Sequence, residues 1–219
     1  MKSRNFVSAL QSLRFENTFN PYSDRCEVHD FADAPTKRAI CITTMLDAAM
    51  KCDVDSIWVG RDLGYRGGRR TGLALTDDIH VDAHAKRWGV SVERPTKGAA
   101  LSERTAAVIW DMLAIVHEPI FLWNVFPLHP HKPGEPFSNR THNANERRAG
   151  EELLFELIKM LKPKRLIAVG NDAEKALQRM VEGRPVVKVR HPSYGGQVQF
   201  VRQIHDLYDT VETVETLLL

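Results

Sequence analysis

An apolar run, Ser56-Ile57-Trp58-Val59, is stopped by Gly60 and delivers Gly60-Arg61-Asp62-Leu63-Gly64. A second, Pro119-Ile120-Phe121-Leu122-Trp123, delivers Asn124, and a third, Val186-Val187-Lys188-Val189, leads to His191-Pro192-Ser193. Each brings a different chemistry. Asp62 brings a carboxylate, a side chain capable of acid–base work. The Asn124 amide carries a donor and an acceptor side by side, enough to read a polar edge. His191 brings an imidazole, which can donate or accept a proton near neutral pH. Taken singly these residues have ordinary explanations, since Asp and Asn after a strand serve as turn formers or caps and His-Pro makes a rigid turn. Their arrival from separate segments at matching places is what points to a site.

The elements that must carry them alternate. Helical spacing marks Phe6, Val7, Leu10 and Leu13, and again Ile42, Leu46 and Met50 after Pro35. Thr76 is placed to cap a helix running to Gly89, and Ser102 one that carries Ile109, Trp110, Leu113 and Val116. Asn143 with Glu146 predicts a capping box on a helix striped by Ala149, Leu153, Leu157 and Leu161 and ended at Lys162-Pro163. Arg165-Leu166-Ile167-Ala168-Val169 reads as a further strand. Asn171 and Glu174 then cap a short helix, and Phe200, Ile204, Leu207 and Val211 stripe the last one. Strands separated by helices predict an α/β fold, a three-layer α/β/α sandwich on a central, mostly parallel four-stranded sheet. With no repeat and no linker, residues 1–219 are expected to form a single domain. Ligands of such sheets bind beyond the carboxyl ends of the strands, where Asp62, Asn124 and His191 fall. Residues 128–143, rich in Pro, His and Asn, read as one long loop, a feature that compact domains keep for function or mobility.

The remaining polar clusters say less. Arg61, Arg66, Arg69 and Arg70 crowd a glycine-rich loop, and Lys188 and Arg190 precede His191; they suit phosphates, or simply a solvated face. His80 and His84 have zinc-binding spacing beside Asp77, Asp78 and Asp82, yet no second ligand pair follows, so they read as a solvated helix face. His129-Pro130-His131 reads as loop surface or a phosphate neighbour. No GxGxxG register fits the glycines. Hydrophobic residues at 43% and charged residues at 26% exclude a disordered chain, and a net charge of +2 does not decide for or against nucleic acid. No stretch approaches a membrane span, and Met1-Lys2-Ser3-Arg4 opens no signal segment. The three cysteines, Cys26, Cys41 and Cys52, form no CxxC pair and read as reduced thiols of a cytoplasmic protein.

Gly60-Arg61-Asp62-Leu63-Gly64-Tyr65, followed by Arg70-Thr71-Gly72-Leu73-Ala74-Leu75-Thr76, resembles the first motif of the uracil-DNA glycosylase superfamily, GQDPY in one class and GEAPG in its iron–sulfur class. His191-Pro192-Ser193 resembles the second motif, HPS, and Leu122-Trp123-Asn124-Val125 the Asn-bearing strand between them. The layout from Asn139-Arg140 to Gly170 is similar to that of the iron–sulfur class, and the likeness covers roughly residues 55–200. It implies a repair enzyme, expected as a monomer on uracil-containing DNA and away from membranes, that flips out a uracil and hydrolyses its glycosidic bond. Asp62 and His191 would be catalytic, with Gly60, Arg61, Tyr65, Leu75, Asn124 and Ser193 binding substrate. On this reading His191 donates to the uracil O2, Asn124 pairs with N3–H and O4, and Ser193 with backbone amides grips phosphates. There are departures too. Leu75 stands where the base-stacking aromatic is usual, and Gly64 where one class has a Tyr that blocks the thymine methyl, a role Tyr65 could take. Cysteines are missing where the iron–sulfur class ligates its cluster, with Leu128 and Gly150 near two of those places. Neither a cluster nor any other metal or cofactor is therefore expected. The alternatives are a glycosidase for another modified base or nucleoside, and a DNA-binding relative without chemistry.

Overall fold

The computed structural model describes residues 1–181 and 183–210. The chain begins with α1 (Ser3–Ser12), β1 (Thr18–Phe19) and α2 (Ala34–Ala49), followed by β2 (Ser56–Asp62), α3 (Gly68–Thr71), α4 (Val81–Arg87) and α5 (Arg104–Ile115). Then come β3 (Ile120–Phe126), β4 (His129–Pro130), α6 (Ala144–Leu161), β5 (Arg165–Val169), α7 (Asn171–Met180), β6 (Val186–Val189) and α8 (Gln197–Tyr208). Four strands form the central sheet in the order β3-β2-β5-β6, and every pairing in it is parallel. A separate antiparallel pair joins β1 to β4, so the long 128–143 loop is pinned near its start.

Helices cover both faces, because side chains alternate across a strand and the strands are apolar on both sides. Ile57, Val59, Phe121, Trp123, Leu166 and Ala168 point into one core with α1, α2, α6 and α7. Trp58, Leu122, Ile167 and Val169 point into the other, filled from α5 and α8. The polar atoms of that second core are paired: Tyr208 Oη on α8 lies 2.8 Å from Ser56 Oγ and accepts from Trp58 Nε1 at 2.9 Å. The same alternation places Gly60 and Asp62 in phase with Trp58, and Asn124 in phase with Leu122, so all three belong to the α5/α8 side. Gly60 pairs with Asn124 in the register and Asp62 with Phe126. β5 continues into α7 on one face while β2 leads to α5 on the other, and this divergence opens a crevice at the strand ends.

Several local expectations are corrected. β3 does not stop before Asn124 but runs on to Phe126, and β2 runs to Asp62. The helix expected from Thr76 to Gly89 is only Val81–Arg87; Thr76 is buried, its hydroxyl on the Ala74 carbonyl and His84 Nδ1, while Asp77 accepts from the amides of Ile79 and His80. α5 is capped by Glu103, one residue past Ser102, whose carboxylate accepts from the Thr105 and Ala106 amides. Gly170, with φ of 95°, and not a side chain, precedes α7. The Asn143–Glu146 capping box is present, and Lys162 ends α6 in the left-handed region before Pro163. Val211 lies outside the described residues. Among the described residues no helix is long and apolar enough to cross a membrane.

Candidate active site

Asp62 ends β2 with its carboxylate only 6% exposed. Its Oδ2 accepts from Arg61 Nε at 2.7 Å, and its Oδ1 is bonded by His142 Nδ1. Arg61 also reaches Asp172 at 3.3 Å, so this half-exposed guanidinium ties β2 to α7. Two residues back, Gly60 is bare for a reason: a Cβ there would collide with Asn124 Oδ1 and sit 3.0 Å from Leu75 Cδ2. Asn124 is 1% exposed, and among the described residues neither Oδ1 nor Nδ2 has a protein hydrogen-bond partner. A buried amide with both functions idle costs stability, so it calls for an explanation by function.

His191 follows β6. The Ser193 backbone N–H donates to its Nδ1 at 3.2 Å, and Ser193 Oγ lies 2.7 Å from the same nitrogen. A backbone amide can only donate, so Nδ1 is the acceptor and Nε2 carries the ring hydrogen. Burial, then the cations Arg61 and Arg190, push the imidazole down to about 4 against the opposing pull of Asp172. At neutral pH it is an uncharged ring with an N–H donor. Gly170 lets it approach: a Cβ there would stand 3.2 Å from His191 Cβ.

A cleft of about 280 Å³ is lined by Asp62, Gly64, Tyr65, Leu75, His191 and Ser193 among others. Leu75 holds a left-handed backbone at φ 54°, with its carbonyl accepting from Trp110 Nε1 at 3.2 Å. Tyr65 Oη accepts from Arg66 Nε at 2.8 Å, and its backbone N–H donates to Asn139 Oδ1 at 3.0 Å. Tyr194 stands beside Ser193, 98% exposed and also left-handed at φ 53°. Of the residues read from the sequence, Asp62, Tyr65, Leu75, His191 and Ser193 line the cleft; Gly60, Arg61 and Asn124 do not, Arg61 holding Asp62 and Asn124 lying against Gly60 behind Leu75. Sequence reasoning missed His142, Asn139 and Tyr194. The richness of the 128–143 loop in His and Asn was the signal for His142; Asn139 stood only in the family layout, with no role given, and Tyr194 only in its place after His191-Pro192-Ser193.

Other clusters resolve into structure. Arg69 and Arg70, read as phosphate binders or a solvated face, are buried; Arg70 pairs with Asp78 at 2.6 Å, and the Arg69 guanidinium lies 4.0 Å from the Phe19 ring centre. Lys188 pairs with Glu174 at 3.0 Å. His80 and His84 are no solvated face either. His84 is buried and pushed down to about 3, largely by desolvation, while His80 stacks on Trp110 and bonds Asp77. His129, read as loop surface, is buried, with Nε2 2.8 Å from the Ser138 carbonyl. Among the described residues no group of three or more His, Cys, Asp or Glu is disposed to hold a metal ion. Two of the three thiols are buried, Cys41 Sγ lies 3.6 Å from Met45 Sδ, and Cys52 is on the surface; such a set does not fit a four-thiolate cluster.

A parallel sheet between helical layers, with a carboxylate, an amide and a neutral imidazole at its carboxyl edge, defines a class of α/β/α proteins that hold a small polar ligand beyond the strand ends. The sequence model of the family described as the uracil DNA glycosylase superfamily matches residues 58–207. The chain belongs to that superfamily. Its fold is similar to the crystal structure of wild-type Pedobacter heparinus SMUG2, with a TM-score of 0.58 over 95% of this chain and 97% of that one at 13% identity. A tyrosine-to-glycine mutant of UNG from Nitratifractor salsuginis aligns over 94% of this chain and 96% of that one at 16% identity, with a TM-score of 0.43. No curated protein sequence matches the chain.

Proposed function

We propose that this protein removes uracil from DNA by hydrolysing its N-glycosidic bond. The observation that carries the reading is the Asn124 amide, buried with donor and acceptor both idle at the same sheet edge as Asp62 and a neutral His191. A flipped uracil would use both functions: N3–H donates to Oδ1 and O4 accepts from Nδ2, a pattern cytosine reverses. The Leu75 side chain crowds the space above Gly60, so it turns aside or slides along the base as the base enters. His191 Nε2–H donates to O2 as the C1′–N1 bond breaks and its electron pair passes to the base. Asp62 orients the water that adds hydroxide to C1′, and its charge favours the oxocarbenium-like sugar. The departing anion regains a proton at N1. Ser193, expected on phosphates, has its hydroxyl on His191 Nδ1 and would instead hold the ring's tautomer. Exposed Tyr194, on a strained backbone beside the cleft, is suited to fill the gap left by the flipped nucleotide.

The test is incubation of the pure protein with a labelled uracil-containing oligonucleotide in EDTA, then alkali. Strand cleavage at the uracil is expected; no cleavage, or activity lost on chelation and restored by zinc or iron, overturns the reading. One observation favours a wider substrate range. Gly64 lines the cleft, and a Cβ built on it meets no atom within 4 Å, so a substituent at C5 of the base has room there. Oligonucleotides carrying thymine or 5-hydroxymethyluracil in the same assay decide this.

A further inference from the structure

Asp62 is held at both oxygens by unlike partners. Arg61 is 41% exposed and shared with Asp172, a loose clamp. His142 is 8% exposed, bonds Oδ1 through Nδ1, and packs edge-on against Phe126, with ring centres 6.0 Å apart. Phe126 is the register partner of Asp62 on the neighbouring strand. The loop that brings His142 is fixed just beyond it. Asn143 caps α6 in a reciprocal box with Glu146. Arg140 donates to both Glu146 oxygens at 2.7 and 2.6 Å, and Thr18 Oγ1 donates to Glu146 Oε1 at 2.8 Å. The helix itself is seated on β3 at Gly150, where a Cβ would collide with the Val125 carbonyl oxygen. Ring, cap, helix and strand are thus linked by contacts, and together they bring His142 to the Asp62 oxygen that Arg61 leaves free.

We propose that His142 is a positioning residue for glycosidic hydrolysis, which fixes the rotation of the Asp62 carboxylate so that its free lone pairs meet the attacking water. The contact His142 makes at the site is with Asp62 Oδ1, so its effect on the reaction passes through Asp62. The need is physical: the terminal torsion of an aspartate is broad, and a carboxylate without a second anchor swings across tens of degrees. The inference rests on the reading of Asp62 as the carboxylate that orients water.

The experiment is a double-mutant cycle on the full chain, read by single-turnover uracil release and by oligonucleotide affinity. His142→Ala should slow the chemical step by about 10²-fold, the scale of a small misplacement of a reacting group, with affinity unchanged. His142→Asn, whose Nδ2 can stand in for Nδ1, should recover most of the rate. In an Asp62→Asn background, His142→Ala should have no further effect. A His142→Ala variant as fast as wild type, or one that slows both backgrounds by the same factor, overturns the proposal. Nitrogen NMR of the imidazoles separates this from the functional reading. A His142 Nδ1–H resonance is expected in the wild type and should shift in Asp62→Ala; its absence from the wild type removes the contact and the proposal with it. Wild-type protein that shows the resonance but frees no uracil fails the functional reading instead, and the catalytic role of His142 falls with that reading.

Discussion

Replacing Asn124 by alanine should make the protein more stable while it abolishes base removal. Both polar atoms of this amide are buried without a protein partner among the described residues. An unsatisfied buried polar group costs about 1–3 kcal/mol, so the pair costs roughly 2–6 kcal/mol. Truncation leaves a cavity the size of an amide, roughly 40 Å³, which at about 24 cal/mol per Å³ takes back about 1 kcal/mol. The balance favours alanine by about 1–5 kcal/mol. Even the low end raises Tm by about 2–4 °C in a chain of this size. Thermal or urea unfolding of both proteins reads the first effect and single-turnover uracil release the second. An asparagine that only fills a strand would give the opposite sign, through lost packing with nothing relieved. An alanine variant that is less stable than wild type, or one that still excises uracil, therefore refutes the assignment of Asn124 as an amide held ready for a base.

His191→Ala removes one donor to the leaving base and should cut the single-turnover rate by about 10²–10³-fold, with little change in oligonucleotide affinity because phosphate contacts dominate binding; a loss of affinity in proportion to rate would show a binding role instead. Stability should fall on mild acidification. His191 is pushed from 6.5 down to about 4, and His84 and His129 from 6.5 down to about 3, each chiefly by burial. Below pH 6.5 the unfolded chain takes up protons that the folded one refuses until about pH 4 for His191. Each histidine thus withdraws up to about 1.4 kcal/mol per pH unit as pH falls through that window, and urea midpoints that stay flat between neutral pH and about pH 5 would refute the burial argument.

The layered architecture was legible in the sequence because it rests on local patterns. Apolar runs such as Ile120-Phe121-Leu122-Trp123 are buried on both faces only in a covered parallel sheet, and that sheet puts strand ends together. Asp62, Asn124 and His191 could be picked out because they follow such runs, and the Asn143–Glu146 capping box because its partners lie three residues apart. The rest depended on contacts between distant segments. His142 meets Asp62 across 80 residues, and nothing in the loop sequence distinguishes it from His129 or His131. Arg69, Arg70 and His84 have the composition of a wet surface, yet they are buried against Phe19, Asp78 and Thr76. For His191 sequence and fold divide, its tautomer set locally by Ser193 two residues on and its charge state by the tertiary structure. A histidine alone titrates near neutrality; the Ser193 amide chooses which nitrogen holds the hydrogen, while the surrounding fold, by excluding water and placing Arg61 and Arg190 nearby, keeps the ring uncharged.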